Sequence, residues 1–518
     1  MGVNLNDADR AAEELRRAVE TGESEKIARA AMANVWPLFS SHADALRAAV
    51  AMLPNALLER YPTLRILHPL TPVLARTTRP FTPVMYTEDA RSMSPEEHDF
   101  VVLTQMIAFR LCGDVPAALL YAKRLEDRIL QTRVEARDRL DGPLWYFHFQ
   151  IGSTLLAAGD SSRALLEFAT ARQLGSYSLQ PDAERLALGR AALAHAVRGA
   201  HVDAERALTE ARGLPAPTKA HLASSQTTER ATAALIAADR MSDDLDDVLA
   251  ELEPYDAVEL TWPFALLARC RAFLARQQPE DALEAISLAG GAHPLQPGSF
   301  AADVVAATSI KAHLALGDVA RARRCAEQAV SPGVLTRLAM ARLALYEGWL
   351  DGAADTLRRL SLDQTLGPAQ RAEWVLLTGW LELARTDEVG RETALQVSRV
   401  ARRRDSKRLL GIIPRQLAEC VRDHLTGETA QEFEAVAATS FASVEMQVRP
   451  ALTMGELRVL NALPNHDSTA AMASAFHVSP NTVKSQLRSL YKKLDCSTRD
   501  EAIRAAARLH LLAPQPTR

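Results

Sequence analysis

The residues best placed to do chemistry in this chain form a polar set with no acid in it: Asn481, Thr482, Lys484, Ser485, Arg488 and Lys492, with Ser479 just before and Lys493 just after. Cationic side chains at that spacing can make charge-assisted hydrogen bonds to phosphates and fork onto purine edges, with hydroxyl and amide groups beside them. No other constellation in the 518 residues competes. The 13 histidines are scattered without a His-Glu-x-x-His pattern, and lone ones such as His148 and His313 read as core or surface residues. The five cysteines (Cys112, Cys270, Cys325, Cys420, Cys496) are odd in number and far apart, as reduced thiols are, and suit neither a disulfide framework nor a zinc site. No Gly-Lys dipeptide occurs, so a Walker A phosphate loop is missing. No enzyme activity, metal or cofactor is expected.

Something must hold that polar set on one face. Val483, Leu487, Leu490 and Leu494 recur at helical spacing on the opposite side, predicting a helix over Pro480–Leu494 with Ser479 as N-cap and Pro480 at its first position. Ahead of it, Thr453-Met-Gly-Glu456 is a capping box opening a helix through Leu457, Leu460 and Leu463, which Pro464 stops. A short second helix starts at Ser468, carries Met472 and Phe476, and breaks at His477-Val478. A fourth opens with the capping box Thr498-Arg-Asp-Glu501 and continues through Ala502, Ile503, Ala506 and Leu509. Four short helices, the third with a basic face, make a helix-turn-helix module suited to the major groove of double-stranded DNA. From Thr453 onward nine Lys or Arg face five Asp or Glu, a net of +4, whereas the whole chain is −4 and the preceding residues therefore −8. A basic end on an acidic body is the asymmetry of a chain with one phosphate-binding domain.

The pattern Ser479-x-x-Thr482-Val483-Lys484-x-x-Leu487-x-x-Leu490-Tyr491-x-Lys493-Leu494, followed by Arg499 and Ala502 and led by Leu452-Thr453-x-x-Glu456-x-x-Val459-Leu460, closely resembles the LuxR-type helix-turn-helix of bacterial transcription regulators. The resemblance implies that Lys484 and Arg488, with Ser485 beside them, contact base edges, and that Thr482, Lys492 and Lys493 contact phosphates. It also implies that the fourth helix pairs with a second copy through Ala502, Ala505, Ala506 and Leu509, giving a homodimer on DNA. The chain departs from the family pattern at four places. Gly455 stands where a basic residue is usual, Gln486 where His is common, Asp495-Cys496 in place of a Gly-Val turn, and Ala471-Met472 in place of Glu-Ile.

The rest of the chain is more than one domain's worth. It is rich in Ala, Leu and Arg, poor in aromatics, and shows no strand-like alternation. A repeat organises it: Gly ends one helix and Ala follows five residues later in the next, at Gly113/Ala118, Gly159/Ala164, Gly199/Ala204, Gly317/Ala322 and Gly348/Ala353. Gln277/Ala282 keeps the frame, and Arg240/Leu245 and Thr386/Arg391 are weaker members, with spacings of 31 to 46 residues. Helical pairs of this period predict a tetratricopeptide-like α-solenoid. The combination resembles the C-terminal part of MalT-like activators, and Pro54 to Leu67 looks like the Leu-Pro…Pro-x-Leu segment that precedes their repeats. Those proteins carry an N-terminal ATPase, which the missing Walker A loop argues against here.

The expected fold is therefore all-α: a solenoid followed by a four-helix LuxR-type domain. Residues 1–93 are expected to be a helical region ending in a Pro-rich loop (68–93), 94–439 the repeats, 440–452 a linker and 453–518 the DNA-binding domain. Trp145, Tyr146, Phe147 and Phe149 read as core before they read as a pocket, and the basic run Arg399–Arg408 as a solvated face before a phosphate or anion site. No apolar run approaches 18 residues and the start is too polar for a signal peptide, so no membrane contact is expected and the cytoplasm is the expected compartment. The expected function is transcription regulation, with a small-molecule or protein effector on the repeats. The rival is a scaffold whose repeats recruit a protein partner while the last domain anchors it to DNA.

Overall fold

The structure is a computed structural model that describes residues 5–68, 95–131, 143–440 and 452–508, apart from 179, 220, 255–259, 412–413, 467 and 495. Most of the Pro-rich loop, linker residues 441–451 and Leu509 lie outside the described residues. Every element described is a helix. Six come first: α1 (Leu5–Glu20), α2 (Ser24–Ala33), α3 (Val35–Ser41), α4 (Ala43–Ala51), α5 (Asn55–Arg60) and α6 (Pro62–Leu67). Eight antiparallel pairs follow: α7 (Pro95–Leu111) with α8 (Val115–Gln131), α9 (Leu144–Ala157) with α10 (Ser161–Gly175), α11 (Ala183–Arg198) with α12 (His201–Gly213), and α13 (Leu222–Arg240) with α14 (Leu245–Ala250). The remaining four are α15 (Trp262–Ala275) with α16 (Pro279–Ala292), α17 (Phe300–Ala315) with α18 (Val319–Gln328), α19 (Val334–Tyr346) with α20 (Leu350–Ser361), and α21 (Pro368–Thr386) with α22 (Arg391–Ala401). Short α23 (Lys407–Leu410), then α24 (Arg415–Asp423) and α25 (Glu428–Ser440), close the body.

The Gly–Ala frame has a physical cause. Gly113, Gly159, Gly199, Gly317 and Gly348 all adopt positive φ, the left-handed turn that ends the first helix of each pair. Where Asp follows, it caps the next helix: Asp114, Asp160 and Asp318 accept from the backbone N–H groups of Ala117, Arg163 and Arg321 at 3.0–3.1 Å. Gly-Asp therefore stops one helix and starts its partner. Ala118, Ala164, Ala204, Ala282, Ala322 and Ala353 are completely buried where the two helices approach. Gln277 takes the left-handed conformation itself (φ 59°). At the two weaker members the left-handed residue is one position later, Met241 and Asp387, so the frame shifts. A further pair, α1 and α2, turns at Gly22, where the buried residue five positions on is Ile27 and the Gly–Ala pattern gives no sign of it.

First helices of successive pairs stack side by side, so the body is an α-solenoid. Its core runs without a break from Ala8 to Leu343. The N-terminal helices are thus part of the same packed body as the repeats: Trp36 and Phe39 of α3 lie against Trp145 and Tyr146 of α9, with Phe39 and Tyr146 centroids 5.0 Å apart. Trp145, Phe147 and Phe149 are core residues. A second core spans Leu338 to Phe433.

The coil winds tightly enough to touch itself. Gly199, at the end of α11, faces Ala369 of α21, and Gln370 Nε2 donates to the Val197 carbonyl at 3.2 Å. Arg408, expected on a solvated face, instead pairs with the buried Asp239 at 2.7 Å, and Asp405 pairs with Arg240. The other cations of that run, Arg399, Arg402, Arg403, Arg404 and Lys407, are exposed as expected.

Candidate nucleic-acid interface

The last described helices are α26 (Met454–Ala462), α27 (Thr469–Phe476), α28 (Pro480–Lys493) and α29 (Arg499–Arg508). Each start is chemically specified. Thr453 Oγ1 accepts from the Glu456 N–H and Glu456 Oε2 accepts from the Thr453 N–H, completing the capping box. Ser468 and Ser479 cap α27 and α28 by accepting from Ala471 and Thr482 N–H. Glu501 accepts from Ser497 and Thr498 N–H at the head of α29. The turn between α27 and α28 passes through His477 in the left-handed conformation (φ 56°), which His tolerates better than a branched residue.

One compact core positions the face. Val459, Leu460, Leu463, Met472, Val483, Leu487, Leu490 and Leu494 pack with Ala502, Ala505 and Ala506. On the opposite side of α28, Asn481, Thr482, Lys484, Ser485, Arg488 and Lys492 are all exposed, as is Ser479. The Thr482 hydroxyl is held 2.8 Å from that of Ser479, which fixes it at the N-terminal end of the helix. That end carries the positive pole of the helix dipole, so anions are stabilised there.

Two groups of expected site residues have partners inside the domain. Lys493 is exposed like Lys492, but its Nζ lies 2.7 Å from Glu456 Oε2, and Ser489 Oγ donates to Glu456 Oε1 at 2.6 Å. Burial raises the Glu456 carboxyl, but the hydrogen bonds of Lys493, Ser489 and Thr453 outweigh it and hold the group down at about 2. Lys493 is therefore a brace between α26 and α28. Ala502, Ala505 and Ala506 are enclosed by the domain's own core, with Ala505 only 4% exposed. The domain's own core uses these alanines, so a charge at 505 would be buried within a single copy.

Three contacts go beyond what the residue pattern specifies. Arg499 donates to the carbonyls of Leu463 and His466, tying α29 to the end of α26. Arg458 lies over the Phe476 ring at 5.7 Å. A Cβ on Gly455 would come within 2.5 Å of Gln486 Nε2, so two of the departures from the family pattern fit together across α26 and α28.

Comparison with known proteins agrees with this geometry at the C-terminal end. Residues 450–506 match the luxR family of bacterial regulatory proteins. The chain is also similar to the probable transcriptional regulatory protein NarL from two strains of Mycobacterium tuberculosis, at 40% identity over 65 residues, or 12% of this chain. The match spans 30% of the length of those relatives.

Proposed function

We propose that this protein is a bacterial transcription regulator that reads a specific duplex through α28 and is controlled by an effector held in its solenoid, a tetratricopeptide-like repeat body. The carrying observation is the exposed, acid-free face of α28 on a braced four-helix core that resembles the luxR family. A helix of that kind enters the major groove, where the pattern of donors, acceptors and methyl groups distinguishes all four base pairs. Lys484 and Arg488 are assigned to base edges, with Ser485 and Asn481 beside them, and Thr482 and Lys492 to phosphates. One domain makes few phosphate contacts, so two copies on half-sites about one helical turn apart complete the reading.

The test is enrichment of duplexes from a randomised pool by the full chain, followed by sedimentation of the complex. A recurrent inverted-repeat sequence and two chains per duplex are expected. Recovery of no preferred sequence would remove the assignment of α28 as a reader, and one chain per duplex at saturation would remove the dimer. Release or gain of DNA affinity on adding an effector tests the regulatory half separately.

A further inference from the structure

Two arginines of the solenoid line one cavity far along the chain from α28. Arg110, near the end of α7, is 7% exposed, and Arg190, in the middle of α11, is 6% exposed. The described hydrogen-bond partners of Arg110 are all neutral. Its Nη1 donates to the Gln150 carbonyl at 2.9 Å and to the Thr154 hydroxyl at 2.8 Å, and its Nη2 donates to Gln150 Oε1 at 2.6 Å. Its Nε–H is buried without a partner. Burial, and then the adjacent positive charge of Arg190, push the Arg110 guanidinium down to about 10. A buried cation near a like charge, whose described hydrogen-bond partners are all neutral, is costly to maintain.

The cavity is about 80 Å³ and is open on one side. Besides the two arginines, its polar lining comes from Ser153, Trp262, His293 and Ser299, and no Asp or Glu is among the described residues that line it. Trp262 and His293 stack face to face, centroids 4.2 Å apart and planes within 4°, making a flat wall. The remaining lining, Leu156, Ala157 and Phe264 among it, is apolar. Cations at one place and a flat apolar wall at another are the recognition elements for an amphipathic anion.

We propose that this cavity binds a small organic anion, with its carboxylate or phosphate at Arg110 and Arg190 and its planar or apolar body against Trp262 and His293. The inference rests on the effector reading above and deepens it by naming a site and a ligand chemistry. The anion supplies an opposite charge to Arg110, whose described partners are neutral and whose Nε–H is unpartnered. The walls come from two layers of the coil, α7, α9 and α11 on one side and the start of α15, the 293–299 loop and the first turn of α17 on the other. A ligand bridging them favours one packing of those layers over another, which is how binding biases a distant domain.

The experiment uses the full chain and four probes: benzoate, phenyl phosphate, inorganic phosphate and neutral benzamide. Calorimetry should show saturable binding of at least one anion at one site per chain, and none of benzamide. Arg190→Gln should weaken that binding at least tenfold. Ser153→Leu narrows the cavity without altering either charge and should weaken it comparably, which keeps the test valid if the arginine variant fails to fold. Absence of saturable binding by all three anions, equal binding of benzamide, or wild-type affinity in Ser153→Leu would overturn the site. The two readings fail separately. Binding that leaves DNA affinity unchanged keeps the cavity and rejects its regulatory role. A chain that selects a DNA sequence but binds none of the anions rejects the cavity and keeps the DNA reader.

Discussion

Lys492 and Lys493 are adjacent and chemically identical, yet the rotation of about 100° between consecutive helix positions gives them different work. Both are exposed on α28, but Lys493 reaches back to pair with Glu456 of α26. Lys492→Ala should weaken every duplex about equally and reduce the salt dependence by about one unit of slope, with the fold intact. Lys493→Ala should lower the melting temperature of the domain, because it leaves the buried Glu456 carboxylate short of its cationic partner. If thermal melts showed no difference between the two variants, the brace would be wrong. Lys484→Ala and Arg488→Ala belong to a third class: each should cost about 1–3 kcal/mol on the preferred sequence and flatten base preference, read by competition binding. Glu456 also sets a pH dependence. Its folded value of about 2 is depressed from the ordinary 4.5, so its contribution is complete above that ordinary value and declines as the pH falls towards 2. Glu456→Gln should be less stable at neutral pH and lose less on acidification. Equal acid sensitivity of the two chains would dismiss the carboxylate as the cause.

At the scale of the helical pair, the Gly–Ala frame separates two costs that a sequence cannot distinguish. Gly317 and Gly199 both have positive φ, at 73° and 77°. A Cβ on Gly317 meets nothing within 4 Å, whereas one on Gly199 collides with Ala369 of α21. Gly317→Ala should therefore cost about 1–2 kcal/mol of left-handed strain alone. Gly199→Ala should cost that plus about 1–3 kcal/mol for overpacking against a distant pair. Denaturant titration of the two variants measures the difference, and equal losses would mean that the coil does not close at that point. Gln277 is the converse case, a side chain held in the left-handed region. Gln277→Gly should not destabilise the body, which distinguishes a turn tolerated in spite of its residue from one that needs it.

The whole body is tied across its coil by buried charge. Asp239 of α13, fully buried, accepts from Arg271 at 3.1 Å and Arg408 at 2.7 Å and lies 3.1 Å from His201 Nε2. Lys311, among the few lysines of the body, meets Glu373 at 2.6 Å in the same interior. Burial opposes the Asp239 charge, but Arg271 and Arg408 more than compensate and keep its carboxyl well below the usual carboxylate range. Asp239→Asn removes the anion that several cations share and should cost about 3–5 kcal/mol. Arg408→Met should cost less, because Asp239 keeps Arg271 and His201. The pair should be non-additive in a double-mutant cycle, since both changes act on one network. Simple additivity would show that Arg408 and Asp239 are neighbours without being coupled.

Local chemistry was enough to place the four C-terminal helices. Ser468, Ser479 and Pro480, and the Thr453 and Thr498 capping boxes, act within three residues, and the stripe of Val483, Leu487 and Leu490 can face only inward. The same holds for the Gly turns and buried alanines of the repeats, where one residue's φ and one side chain's size carry the signal. Composition likewise specified an all-helical chain. What the sequence left open depends on which distant surfaces meet. Whether Lys493 has an acidic partner in reach, whether Ala505 is free or enclosed, and whether Arg408 is solvated or paired with Asp239 are decided by packing between elements up to 169 residues apart. The cavity at Arg110 and Arg190 has the same origin. Its walls lie on pairs separated by more than a hundred residues, and they meet only because the handedness and pitch of the coil, accumulated from small rotations at every pair, bring them together.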